Sequence, residues 1–203
     1  MNLYSGCLQA YAFSRSDYLS DMACVRISKI AGRKVRRMKR IEIKKNSFGN
    51  TRTATRVPTF AEFSNANQMH VNDVANMMRS ISEDIHSRGL RHDITKIAEP
   101  NKSVFYRELC AKIEGKIDSF TDGEWYPMHC KTERHHLNEH CPDDVNLVDV
   151  IEMICDCVCA GMARRGNVYP VEIPSEILQK AVANTVQMCI DSVDVKDGEN
   201  HDD

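Results

Sequence analysis

The chain has no apolar run approaching the roughly 18 residues a spanning helix needs. Nor does Met1 open a basic stretch leading into an apolar segment. These two absences predict a cytoplasmic chain with no membrane contact. A phosphate-binding G-x-x-x-x-G-K-[ST] loop, a G-x-G-x-x-G string and a Ser-His-Asp order are all missing, which removes three common mechanisms. Internal repeats are missing too. So is an even disulfide framework: the nine cysteines are odd in number and predict reduced thiols. Cys155, Cys157 and Cys159 are spaced by two, which on a helix sends them to different faces. That spacing predicts packing rather than metal ligation.

What is present is charge separated along the chain. The formal net charge of −2 hides twelve Lys or Arg against one acid, Glu42, between Arg26 and Arg56. From Asp191 onward there are six acids and one Lys. The first block is suited to an anionic partner, with nucleic acid the natural example for residues 26–56, or to a solvated basic arm. The second block reads as a solvated end. At 203 residues and 42% apolar content the chain can build one domain with an ordinary core, plus an appendage.

Residues 25–43 alternate in part and predict a basic β-hairpin, with a helix open for 33–41. Residues 46–58 are rich in Ser, Thr, Asn and Gly and read as a linker. Beyond it the period changes. Val71, Val74, Met78, Ile81 and Ile85 recur at helical spacing, with Gly89 as a stop. Phe105, Leu109, Ile113, Ile117 and Phe120 predict a helix over 102–120, residues 147–162 a strongly apolar one, and Leu178, Val182, Val186, Cys189 and Ile190 a last one over 175–193. The expected organisation is therefore a basic appendage and linker over 1–61, an all-α domain over 62–193 and an acidic tail over 194–203.

Six of the eight histidines are His70 and the set His92, His129, His135, His136 and His140. In the string Arg91-His92-Asp93-Ile94-Thr95-Lys96, a neutral imidazole and a hard carboxylate are adjacent, a pair suited to a divalent ion. His70 stands at the edge of the first apolar stripe and is expected to face inward. His136 and His140, four apart, would share a helical face. On the apolar helix Asp156 falls opposite the stripe of Leu147, Val150, Ile151, Ile154 and Val158, flanked by Asp149 and Glu152. With few long polar neighbours to hold that face in water, a buried ligand is expected there.

The order His70, His92-Asp93, His129, His135-His136, Asp156 resembles the HD-domain superfamily of metal-dependent phosphohydrolases, whose minimal pattern is H…HD…D. The string His92-Asp93-Ile94-Thr95-Lys96 is similar to the HD-x-x-K version of the cyclic-dinucleotide branch, although no GYP-like string is present. The chain also resembles small HD-like proteins of bacteria and their phages, which carry a double-histidine segment and an E-M-x-x-D helix. The resemblance covers residues 68–165. It implies an all-α HD-like fold and metal ligation by His70, His92, Asp93, Asp156 and members of the set His129, His135, His136 and His140.

N and O ligands of this kind suit one or two ions of Mn, Fe, Co or Zn better than Mg. The expected activity is hydrolysis of a nucleotide or related phosphate ester by metal-activated water. Asp93 would serve the chemistry, Lys96 would meet substrate phosphate as a point charge, and Arg134 would either do the same or remain a surface charge. Glu133, Glu139 and Glu152 are placed to orient ligand imidazoles. The other reading is a degenerate HD fold that holds metal or nucleotide without turnover, its basic arm contacting nucleic acid or a protein.

Overall fold

Thr59 starts the helical part of the molecule. Its hydroxyl accepts the Glu62 N–H at 3.2 Å while the Glu62 carboxylate accepts the Thr59 N–H at 2.7 Å, a reciprocal cap reinforced by Arg56 at 3.1 Å. The computed structural model describes residues 38–46 and 53–197. It contains β1 (Ile41–Lys44), α1 (Phe60–Gly89), α2 (Ile94–Ile97), α3 (Asn101–Ile113), a 3-10 turn (Phe120–Asp122), α4 (Trp125–Thr132), α5 (Leu147–Arg165), α6 (Ser175–Ser192) and β2 (Val193–Lys196). The fold is mainly helical. No helix among the described residues is long and apolar enough to cross a membrane.

Three expectations change. The helix foreseen over 102–120 ends at Ile113, because Gly115 takes φ 71° and lets the Lys116 N–H reach the Ala111 carbonyl at 2.8 Å. Residues 133–140 form turns rather than a helix, so His136 and His140 do not share a helical face. The basic hairpin lies mostly outside the described residues. Its described end is β1, and β1 pairs in parallel with β2, with Ile41 opposite Val193 and Lys44 opposite Lys196. Arg40 meets Asp194 at 2.9 Å and Lys45 meets Asp197 at 2.8 Å. Two cations of the described part of the basic block thus pair with two carboxylates of the acidic segment of the same chain.

The core is Leu137, Val145, Val150, Met153 and Ala181, with Leu147, Cys157, Ile173 and Ile177 packed on it. Asn146 caps α5 by accepting the Val148 N–H at 2.9 Å, and its own N–H goes to Asp149 Oδ2 at 3.0 Å. Thr185 ties α6 to that end, accepting the Leu147 N–H at 2.9 Å. That tie turns Ala181 and Thr185 inward and leaves Leu178, Val182, Val186 and Ile190 exposed. On α1, likewise, Val71, Val74 and Met78 are exposed, and Ser80, Ile81 and Ile85 face the domain. The stripes read as core are therefore only partly core. Cys157 packs against the core, whereas Cys155 and Cys159 are exposed.

Candidate metal centre

Asp93 has φ 55° and ψ 32°, alone among the described non-glycine residues in the left-handed region. Asp tolerates this conformation better than most residues, at a cost of roughly 1–3 kcal/mol. The turn sends its two oxygens to different neighbours. Oδ1 lies 3.4 Å from His129 Nε2 and 3.6 Å from His135 Nε2. Oδ2 lies 3.3 Å from His92 Nε2 and accepts a hydrogen bond from Lys96 Nζ. Asp156, from the middle of α5, brings Oδ1 within 3.4 Å of the same His92 Nε2.

Each imidazole is braced from behind. Trp125 at the head of α4 stacks on His129, ring centroids 4.5 Å apart, and Phe105 stacks on the other side of the indole at 4.0 Å. Buried Glu108 of α3 accepts the N–H groups of Glu124 and Trp125 at 2.9 and 3.1 Å, which fixes the start of α4. Thr95 Oγ1 lies 2.6 Å from His129 Nδ1, and Glu133 accepts the Thr95 N–H at 2.9 Å. With Nδ1 donating to Thr95, the His129 Nε2 lone pair is free, and it faces His136 Nε2 at 2.9 Å. Glu152 Oε1 stands 3.1 Å from His92 Nδ1 and 3.4 Å from His135 Nδ1.

Two groups of donors result. Asp93, His129, His135 and His136 bring one ligand atom each within 4.8 Å of one another, as do His92, His135 and Asp156. Donors held 2.0–2.2 Å from one ion stand about 3–3.6 Å apart, and the Asp93 Oδ1 contacts to His129 and His135 and the Asp156–His92 contact, at 3.4, 3.6 and 3.4 Å, have that spacing. Asp93 Oδ1 and both ring nitrogens of His135 are buried with no hydrogen-bond partner. A buried carboxylate oxygen left without a partner 3.6 Å from an imidazole nitrogen is costly, and a cation between them would satisfy both. The residues therefore fit a divalent ion, with imidazole and carboxylate donors and no thiolate among them.

Electrostatics divide the imidazoles, leaving His129 and His136 neutral and His92 holding a proton that an ion would have to displace. Burial, and then the neighbouring His136, push His129 down to about 3, which keeps it neutral and ligand-competent. Burial likewise lowers His136. Hydrogen bonds to Asp156, Asp93 and Glu152 push His92 up to about 11. Burial acts to raise Glu152, but His135, His92 and Arg88 bring it down to about 2, so it is an acceptor. Asp93 is also held low by His92 and Lys96 against its own burial.

The structure brings His92, Asp93, His129, His135, His136 and Asp156 together and sets the other candidates apart. His70 is exposed on α1, eighteen residues before Arg88 and so about 27 Å along the helix from it. It is exposed rather than turned inward, and it is in neither donor group. His140 is exposed in the turn beyond His136. Arg134 is fully engaged: Nε and Nη2 meet Asp149 at 2.8 and 2.7 Å, and Nη1 meets Asp144 at 2.7 Å. Glu139 approaches His136 Nδ1 only to 3.7 Å. Thr95, Trp125 and Arg88 escaped the sequence reading. The signal for Thr95 was its place inside the HD string; no local signal marked the other two.

No curated protein and no solved structure matches the chain. A family model does, over residues 59–192, which run from the cap of α1 to the last residue of α6 and contain every ligand of both groups. On that match the chain belongs to a family of unknown function, DUF5662.

Proposed function

We propose that the chain is an HD-type, metal-dependent phosphohydrolase acting on a nucleotide or related phosphate ester. The observation that carries this reading is that two donor groups meet at His135, with Asp93 in the first and His92 and Asp156 in the second, in the chain order His92-Asp93, His129, His135-His136, Asp156. The donor set suits Mn, Fe, Co or Zn. Such an ion, when bound, lowers the pKa of water and offsets charge on a phosphoryl oxygen. Asp93 offers one oxygen to the first group and turns the other toward His92 and Lys96. Lys96, half-buried at the rim and bonded to Asp93, is the cation placed to meet a substrate phosphate. The Trp125–Phe105 stack and Thr95 hold His129 in place before any substrate arrives.

The test is metal content of the purified full chain together with hydrolysis of nucleotides and of mono- and diester phosphates in Mn²⁺, Co²⁺ and Mg²⁺. Turnover stimulated by Mn²⁺ or Co²⁺ is expected. Metal retained without turnover on any ester would favour the second reading, a module that holds metal or nucleotide. One observation leans that way: Arg134 is committed to Asp149 and Asp144, which leaves Lys96 as the remaining cation of the two.

A further inference from the structure

Behind the donors lies a buried charge network that links three parts of the chain. Arg88, near the end of α1, places Nη1 2.6 Å from Asp149 Oδ1 and 3.1 Å from Glu152 Oε2. Asp149 is fully buried and also holds the Arg134 guanidinium, one residue before His135. The Glu152 carboxylate is thereby divided: Oε2 goes to Arg88, and Oε1 is left to the Nδ1 atoms of both His92 and His135. A carboxylate only accepts, so His92 presents Nδ1–H to Glu152 and turns Nε2 toward Asp93 and Asp156, while His135 Nδ1 faces the same oxygen at 3.4 Å without a hydrogen bond and its Nε2 faces Asp93.

We propose that Arg88 is a positioning residue for the metal centre: by holding Oε2 of Glu152 it commits Oε1 to the two imidazoles and so selects Nε2 as the ligand atom of both His92 and His135. Arg88 touches neither an ion nor a substrate; it acts through Glu152. The inference rests on the metal reading above and adds to it a residue outside the HD string.

The logic makes an unusual demand on substitutions. In Glu152→Gln the side chain has one acceptor and one donor end. Arg88, a donor only, claims the amide oxygen. The amide NH₂ then faces the two rings, which must accept at Nδ1 and carry their proton on Nε2, where it blocks the ion. Removing Arg88 as well frees the amide to turn its oxygen back to the rings. A purely structural role predicts the reverse, since a second lesion in one buried network adds to the first.

The experiment is a Co²⁺ titration of the full chain, followed by the fluorescence of Trp125, for the native chain, Glu152→Gln, Arg88→Lys and the double variant Arg88→Met/Glu152→Gln. The expected results are a Kd about 10–100-fold weaker for Glu152→Gln, near-native binding for Arg88→Lys, and several-fold recovery in the double variant over Glu152→Gln alone. Long-range ¹H–¹⁵N spectra of the Zn²⁺-loaded native chain should show His92 and His135 ligated through Nε2. Native binding in Glu152→Gln, a double variant weaker than Glu152→Gln, or ligation through Nδ1 would overturn the proposal. A failure of Glu152→Gln to fold leaves Arg88→Lys and the native spectra to decide it. A native chain that takes up no Co²⁺ would instead remove the metal reading, and this inference with it.

Discussion

The indole of Trp125 lies against the imidazole of His129, ring centroids 4.5 Å apart and planes 16° from parallel. Trp125 is the single tryptophan of the chain. Its emission therefore reports on one side of the metal centre. Co²⁺ should quench it saturably, with the midpoint giving Kd. Asp93→Ala should abolish the response, because Asp93 supplies the one carboxylate of the group that contains His129. An unchanged, saturable Co²⁺ response in Asp93→Ala would show that the ion sits elsewhere.

The two carboxylates of α5, Asp149 and Asp156, have different duties. Asp149 is fully buried between Arg88 and Arg134, so Asp149→Asn weakens two buried ion pairs and should cost about 3 kcal/mol or more of stability. Asp156 is partly exposed and meets His92. Asp156→Asn should leave stability within about 1 kcal/mol of native and lower Mn²⁺-dependent turnover on the order of 100-fold. Urea unfolding and a turnover assay separate the two. Full activity in Asp156→Asn would remove it from the site.

The helices were legible because their apolar residues recur at helical spacing, and the HD pair because adjacent His and Asp are rare company for so many other histidines. The orientation of the helices was not legible. Val71, Val74 and Met78 look like a core stripe, yet Arg88 must reach Asp149 and Glu152, and that requirement turns a different face of α1 inward. His70 was misread for the same reason. The chain segment after α4 was misread because four histidines at mixed spacing carry no period; its course is set by the burial of Leu137 and by the Arg134–Asp149 pair. Asp93 could not have been foreseen in the left-handed region from a local pattern, since Gly is the usual occupant there.

Metal binding should strengthen as pH rises. An ion at Nε2 competes with a proton for the same lone pair, and ordinary imidazoles are protonated below about pH 6.5. His129 is pushed the other way, down to about 3, and imposes no such competition. His92, held among Asp156, Asp93 and Glu152, gives up its Nε2 proton only to the ion. The Co²⁺ Kd should fall by about tenfold per pH unit for each proton released between pH 6 and 8. Calorimetry in two buffers of different ionisation enthalpy counts the protons. A Kd independent of pH over that range would remove His92 from the ligand set.

The last prediction concerns the β1–β2 pair. Met38 and Ile41 are both buried, and β1 lies against β2, with Arg40 and Lys45 facing Asp194 and Asp197. All the donors lie at or after His92 and the helical part is capped at Thr59, so chains starting at residue 37 and at residue 59 should both bind Co²⁺. Their stabilities should differ. Losing the burial of Met38 and Ile41 removes about 1.5–3 kcal/mol for each side chain, an upper estimate because the unfolded chain already buries part of that surface. The exposed ion pairs contribute little beside this. The shorter chain should therefore unfold at lower urea with the same Co²⁺ affinity. Equal urea midpoints would show that β1 adds nothing to the helical domain, and loss of Co²⁺ binding in the shorter chain would show that β1 supports the metal centre after all.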